Sequence, residues 1–211
     1  MTSPLRRPGA TERAVDLPAG RLPPGQCVPS GWPVEHYGRV PAFDPATWDL
    51  RVFGATADGR EHAFDWGGFG ALPRTQVTAD LHCVTRFSVP DIPWGGVSTT
   101  ALVAVVPPAT DVRHVVVWAE YGYSANLRLS DFVAGTSLLA THLEGKPLSP
   151  DRGYPLRLVV PHLYAWKGPK WVRAVEYLTT DRRGFWEERG YHNRADPWQE
   201  QRYAYQETAA D

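Results

Sequence analysis

The chain has 211 residues, 43% of them hydrophobic and 12% aromatic, which is enough for one domain with a substantial core. A net charge of −1 supplies no basic field for nucleic acid or an anionic membrane. Two cysteines, Cys27 and Cys83, are too few for a disulfide framework, an iron–sulfur cluster or a Cys-x-x-Cys-His haem attachment, although one bridge between them is open. No run of about 18 apolar residues marks a membrane span.

Residues 1–31 are rich in Pro, Gly and Arg without a period, and are expected to form a loosely ordered arm before a single domain over 32–211. The first ten residues lack the apolar core of a signal peptide, and Arg6-Arg7 are not followed by one, so a cytoplasmic protein is expected. Trp32 to Gly38 reads as a fixed aromatic loop. Trp48 to Phe53 alternates apolar and polar side chains and predicts a strand. The Asp-Gly pair at Asp58-Gly59 predicts a hairpin turn, with Glu61 to Asp65 as the return strand. Trp66 to Leu72 is broken by Gly and predicts one helical turn.

Gln76 to Cys83 predicts the next strand, stopped by Ser88-Val-Pro90, and Trp94-Gly-Gly96 reads as a turn. Ser98 is placed to cap a short helix over Thr99–Val106, ended by Pro107-Pro108. His114 to Ala119 is a β-branched run that predicts a buried strand. Ser130 or Asp131 starts a brief helix. Leu138–Leu143, Leu156–Val160 and Trp171–Leu178 complete the predicted strands, and the aromatic tail from Trp186 to Tyr205 should pack on the body. The fold class expected is α+β, mixed and strand-rich, with short helices outside.

Chemistry concentrates in two places. In Ala79-Asp-Leu-His-Cys-Val-Thr-Arg-Phe-Ser88 a strand ends in a thiol with His82 and Arg86 close by. Neighbouring positive charge favours the thiolate, the form that attacks and binds metals. The competing reading of Cys83 is a small buried hydrophobe. In the stretch from Asp151 to Trp171, Arg152 and Arg157 flank one turn, and Lys167 and Lys170 bracket a Gly-Pro turn. Two such turns suit a multiply charged anion such as a phosphate, and solvated surface cations are the alternative. A zinc site at His82, Cys83 and His114 fits no common spacing. A nucleophile pair of Cys83 with His36, His162 or His192 stays open. No phosphate-loop, dinucleotide or Gly-x-Ser-x-Gly motif is present.

From Trp32 to Tyr205 these parts, in this order, resemble the molybdenum-cofactor domain of the sulfite oxidase family. That family includes sulfite oxidases, plant-type nitrate reductases and bacterial protein-methionine-sulfoxide reductase catalytic subunits, and the likeness is to its small stand-alone bacterial members. The segment Leu81 to Ser88, followed by Trp94-Gly-Gly-Val97, looks like the segment carrying the cysteine ligand of molybdenum, so the resemblance makes Cys83 that ligand. Pro33-Val-Glu-His-Tyr-Gly38 sits where the family has a pterin-contacting loop, with His36 and Tyr37 as candidates. In Ala119 to Leu127, Glu120 falls at an acidic pterin contact and Tyr123 at an active-site tyrosine.

Arg152-Gly-Tyr-Pro-Leu-Arg157 resembles the family's His/Asn-Gly-x-Pro-x-Arg, which binds the pterin and its phosphate. Gly168-Pro169-Lys170 resembles a further cofactor contact. Arg86 is the one arginine near the cysteine to name for an oxyanion substrate. His192 and Asn193 reach the cofactor from the tail or serve only to cap and pack it.

The resemblance implies a molybdopterin cofactor, no haem or iron–sulfur centre, and two-electron oxygen-atom transfer on a small sulfur oxyanion or an S- or N-oxide. Catalytic roles fall to Cys83, Tyr123 and Arg86. A separate electron-transfer partner is implied. The alternatives are a cofactor-free binding or scaffold domain of the same fold and a cysteine hydrolase.

Overall fold

The computed structural model describes residues 17–208. Two sheets and three short helices form around the apolar positions anticipated above. The first sheet holds β1 (Asp49–Gly54), β2 (His62–Asp65), β5 (His114–Ala119), β6 (Ser124–Arg128) and β10 (Val172–Leu178), in the order β2-β1-β10-β5-β6. Its β1–β10 pair is parallel and the other pairs are antiparallel. The second sheet runs β3 (Arg74–His82), β4 (Ser88–Ser98), β7 (Leu138–Leu143) and β8 (Lys146–Pro147), with β9 (Arg157–Val159) also on β7. Helices α1 (Trp66–Gly70), α2 (Thr99–Val105) and α3 (Leu129–Phe132) lie at strand ends. The Ser98 hydroxyl accepts from the Ala101 N–H and caps α2.

Side-chain alternation gives the second sheet two buried faces. Val97, Leu139 and Leu158 face the core shared with Leu50, Val52, Val115, Val117 and Val175 of the first sheet. Trp94, Leu138, Ala140 and Val159 point the other way, into a second core closed by the tail residues Trp186 and Tyr191. The tail therefore packs as expected, although Trp198 and Tyr205 stay exposed.

Two expectations are overturned at β4. Ser88-Val-Pro90 begins this strand, and Trp94-Gly-Gly96 lies inside it. Pro90 is tolerated because the β3–β4 ladder is bulged between Ala79 and Leu81, where the proline's missing N–H leaves no ladder bond unmade. Gly96 is a close approach of backbones: a Cβ there would sit 2.1 Å from the Leu139 carbonyl oxygen. The strand β6 was not anticipated, since its polar Ser124 and Asn126 disguise a buried segment.

Of the arm, residues 1–16 lie outside the described residues. Residues 17–31 lie on the β3–β4 hairpin. Arg21 binds Asp80 and Asp91, Cys27 bridges to Phe87, and the Gln26 amide donates to the Cys83 carbonyl (3.2 Å). No disulfide joins Cys27 and Cys83, so the open bridge is not formed. Among the described residues no helix is long and apolar enough to cross a membrane.

Candidate active site

The hairpin that joins β3 to β4 is closed by Cys83. Its N–H donates to the Phe87 carbonyl (2.8 Å), and its carbonyl accepts from the Arg86 N–H (3.1 Å). This tight turn holds the sulfur just past the end of β3, facing a cavity of about 530 Å³. That volume suits a cofactor-sized ligand. The loop 32–37 covers one side of the cavity, residues 165–171 another, and Trp186 and Tyr191 of the tail a third.

Three cations, Arg152, Arg157 and Lys170, line the same cavity as the thiol. Arg157 opens β9 and bridges to Lys170, so the two side chains stand side by side. Gly153, at φ 112°, packs beneath both, and a Cβ there would lie 3.0 Å from that of Arg157 and 3.1 Å from that of Lys170. Gly168 presses on the Leu158 carbonyl oxygen, 2.5 Å from its would-be Cβ, and Pro169 accepts the Leu158 N–H (2.9 Å). The Gly-Pro-Lys turn is thus built onto β9.

Arg157 is 4% exposed, and its Nε is buried with no hydrogen-bond partner. Burial and the neighbouring Arg152 push its pKa down to about 10. Lys170 is pushed down to about 7, first by burial and then by Arg157 and Arg152. An orphaned guanidinium nitrogen beside a destabilised ammonium is the arrangement a bound anion would relieve. Arg152 stacks over Trp32 at 3.8 Å and donates to the Trp32 carbonyl (2.7 Å).

Cys83 itself differs from expectation. Its pKa is raised to about 12, by burial first and by Glu35 second. The thiol lies 3.3 Å from Glu35 Oε2 and 3.1 Å from Thr85 Oγ1. Arg86 does not favour the thiolate, because its left-handed φ of 73° ends the turn and the guanidinium lies beside Gly25 of the arm. Arg86 is absent from the cavity wall, which corrects its expected catalytic place.

The other anticipated residues line the cavity with distinct engagements. Tyr123 donates its hydroxyl to the Trp166 carbonyl (2.7 Å), and burial raises its pKa well above the usual value. Glu120 is held by Arg173 at 2.9 Å. His36 Nδ1 contacts the Gly38 carbonyl (3.0 Å), and Tyr37 packs on Phe185 at the mouth.

Lys167 turns away from the cavity. It is 1% exposed, paired at 2.6 Å with the buried Glu187 and bonded to Asn126. His192 and Asn193 do not line the cavity, and Asn193 ties the tail to Asn126 and Asp181. None of the hydrogen bonds to the Cys83 sulfur comes from a histidine, which leaves the nucleophile pair unformed. Among the described residues no cluster of three metal-binding side chains exists, so the zinc set is not assembled.

Glu35 escaped the sequence reading, although it stands next to His36 in the quoted motif. The signal was its acidity within a Pro- and aromatic-rich loop otherwise read for its rings. The aromatic walls Trp166, Trp186 and Tyr191 were visible only as a tail that packs.

Comparison with known proteins gives three further findings. Residues 37–186 match the family model described as the oxidoreductase molybdopterin binding domain. The chain is 42% identical to the "Uncharacterized oxidoreductase YuiH" of Bacillus subtilis (strain 168) over 188 residues, 89% of this chain and 94% of the relative. It is 28% identical to the "Putative protein-methionine-sulfoxide reductase subunit YedZ1" of Azospira oryzae over 160 residues, 74% of this chain and 60% of that one. Among solved structures, the sulfane dehydrogenase SoxCD of Paracoccus pantotrophus shares the fold, with a TM-score of 0.61 at 18% identity over 69% of this chain and 41% of that chain.

Proposed function

The chain belongs to the family of oxidoreductase molybdopterin-binding domains, and on that premise we propose that it is a molybdenum-cofactor enzyme. Its reaction is two-electron oxygen-atom transfer on a small sulfur oxyanion or an S- or N-oxide. One observation carries the reading: a buried thiol and three basic side chains, distant in sequence, share one cavity, and a guanidinium nitrogen there lacks a partner.

In this reading Cys83 is the protein's metal ligand. A soft sulfur donor suits thiolate-rich coordination, and coordination removes the proton that burial and Glu35 otherwise hold there. Arg157, Arg152 and Lys170 hold the anionic, phosphate-bearing part of the cofactor, with Arg157 Nε supplying a donor left unused by the protein. Gly168 and Pro169 hold Lys170 against β9. His36, Tyr37 and Glu120 offer polar edges to the pterin. When bound, the cofactor supplies two-electron redox chemistry with oxygen-atom transfer at its metal. Tyr123 and the aromatic walls exclude water, and the Tyr123 hydroxyl reaches a substrate only by leaving the Trp166 carbonyl. Arg86 has no part in this reading. A separate redox partner is required, because each oxygen atom moved takes two electrons in or out.

The test is elemental analysis together with Cys83→Ser. Near-stoichiometric molybdenum is expected in the parent protein. The variant should keep its thermal midpoint, lose turnover and change its metal spectrum. Unchanged turnover and spectrum would remove the ligand assignment, and a parent protein without molybdenum would remove the function.

A further inference from the structure

Apolar side chains that stay in water gather at the cavity mouth. Among the described residues seven large apolar side chains are exposed, and four of them, Val34, Tyr37, Val40 and Tyr121, lie on or against one loop. Val34 and Tyr37 also line the cavity. Tyr121 meets the loop from just after β5: a Cβ on Gly38 would lie 3.7 Å from its ring, and Arg39 donates to its hydroxyl (3.3 Å). Its φ of 60° is unfavourable for a residue with a side chain, yet the residue is 45% exposed, so the conformation serves no core.

Two arginines lie in the same rim. Arg39 stacks over Tyr121 at 5.4 Å, and Arg189 over Phe185 at 3.6 Å, with Phe185 packed on Tyr37 at 4.7 Å. Neither guanidinium forms an ion pair among the described residues. The neighbouring Arg182 and Arg183 are committed to Glu176 and Glu207. Of the nearby acids, Glu120 is held by Arg173 (2.9 Å) and Glu35 contacts the Cys83 sulfur, which leaves Glu188 exposed at the edge. Exposed Tyr and Arg around an apolar patch is the composition of a protein-binding surface, and a ring-stacked guanidinium presents its N–H edge to a carboxylate.

We propose that this rim docks the external electron carrier, and that the carrier is a small redox protein with an acidic face. The proposal deepens the molybdenum reading above and rests on it. The rim's two unpaired guanidinium groups are complemented by carboxylates. Tyr37 belongs to rim and cavity alike, so a carrier seated here lies one aromatic layer from the cofactor's chamber. A patch of four apolar side chains is small, which suits a partner that must leave after each electron. In the reductive direction each encounter oxidises the carrier by one electron and reduces the metal site by one. Two encounters therefore balance one oxygen atom, which leaves as water with two protons. In the oxidative direction the electrons flow outward and water supplies the oxygen.

The experiment uses the metal-loaded protein, the double variant Arg39→Glu/Arg189→Glu, and Tyr121→Ser. A flavodoxin is the acidic probe and cytochrome c the basic one. Surface plasmon resonance reports dissociation constants, stopped-flow absorbance reports reduction of the metal site, and elemental analysis reports molybdenum. At about 20 mM salt the parent should bind the flavodoxin at least about tenfold more tightly than cytochrome c, and raising salt to about 300 mM should remove most of the difference. The double variant should weaken flavodoxin binding, and slow reduction by reduced flavodoxin, at least about tenfold. Tyr121→Ser should weaken that binding about threefold. Thermal midpoint, molybdenum content and reduction by methyl viologen at the higher salt should stay unchanged in both variants. Flavodoxin binding that ignores the charge reversal, or that is no tighter than cytochrome c binding, overturns the inference, while a full molybdenum content leaves the parent reading standing. A parent dimer that Tyr121→Ser dissociates also overturns it, because the rim is then a contact between copies. A parent protein without molybdenum overturns both readings.

Discussion

Lys167 and Lys170 bracket one Gly-Pro turn, yet one is sealed behind the cavity wall and the other faces the cavity. Sequence shows two cations at a turn. It does not show that the partner of the first, Glu187, arrives from the tail. Replacing Lys167 by Met leaves the Glu187 carboxylate buried and unpaired, and should lower unfolding free energy by about 3–5 kcal/mol. Pairing it with Glu187→Leu should recover much of that loss in a denaturant titration.

Lys170 yields a pH prediction whose sign follows from its depressed pKa of about 7. In the anion-free protein it is an ammonium below that pH and an amine above it. An anion binds the ammonium form. Affinity for inorganic pyrophosphate should therefore be greatest below pH 7 and fall as pH rises, by up to about tenfold per unit for one proton. Calorimetry in buffers of different ionisation enthalpy should detect proton uptake at pH 8. The Lys170→Met protein should bind weakly with no such slope. A flat profile in the parent would place the anion elsewhere.

At the scale of elements, strands with clean alternation were legible, and so was the Ser98 cap. The failures share a cause. Proline and paired glycines read as punctuation, because their effect on an isolated strand is to break it. Inside β4 each has its reason in the pairing: Pro90 lies in the strand's own bulge, where Pro90 and Asp91 oppose Asp80 alone, and Gly96 meets the backbone of β7. Gly96→Ala should therefore cost about 3 kcal/mol, since it forces a Cβ into the Leu139 carbonyl rather than into a pliable side chain. A urea midpoint unchanged by that substitution would show that β4 and β7 can part without penalty. The Cys83 turn was half-visible: the strand before it was clear, and the direction of Arg86 was not, because a left-handed φ at arginine has no compositional mark.

Across the whole molecule, the candidate site joins the end of β3, the start of β9, the turn after it and the tail. Most of its polar residues were legible, because they lie in two short motifs. Its walls were not, because aromatic side chains serve cores and cavities alike. The second core depends on the tail. Trp186 and Tyr191 pack there, Trp166 donates to Glu187 (2.9 Å), and Arg202 bonds the Tyr164 hydroxyl. A chain ending at Thr180 bares Tyr164 and Trp166 and strands Lys167. It should hold no molybdenum and should bind hydrophobic dyes, whereas full metal retention would make the tail dispensable.

The wall formed by Trp186 and Tyr191 also has a bearing on the order of events during synthesis. Trp186 follows Cys83 by 103 residues and Lys170 by 16, so the wall leaves the ribosome after the thiol and the cationic turns. A nascent chain thus presents its thiol and its basic cradle to the cell before it can enclose anything between them. Cargo can be enclosed only once the tail has emerged, and anything captured earlier would sit in an open trough.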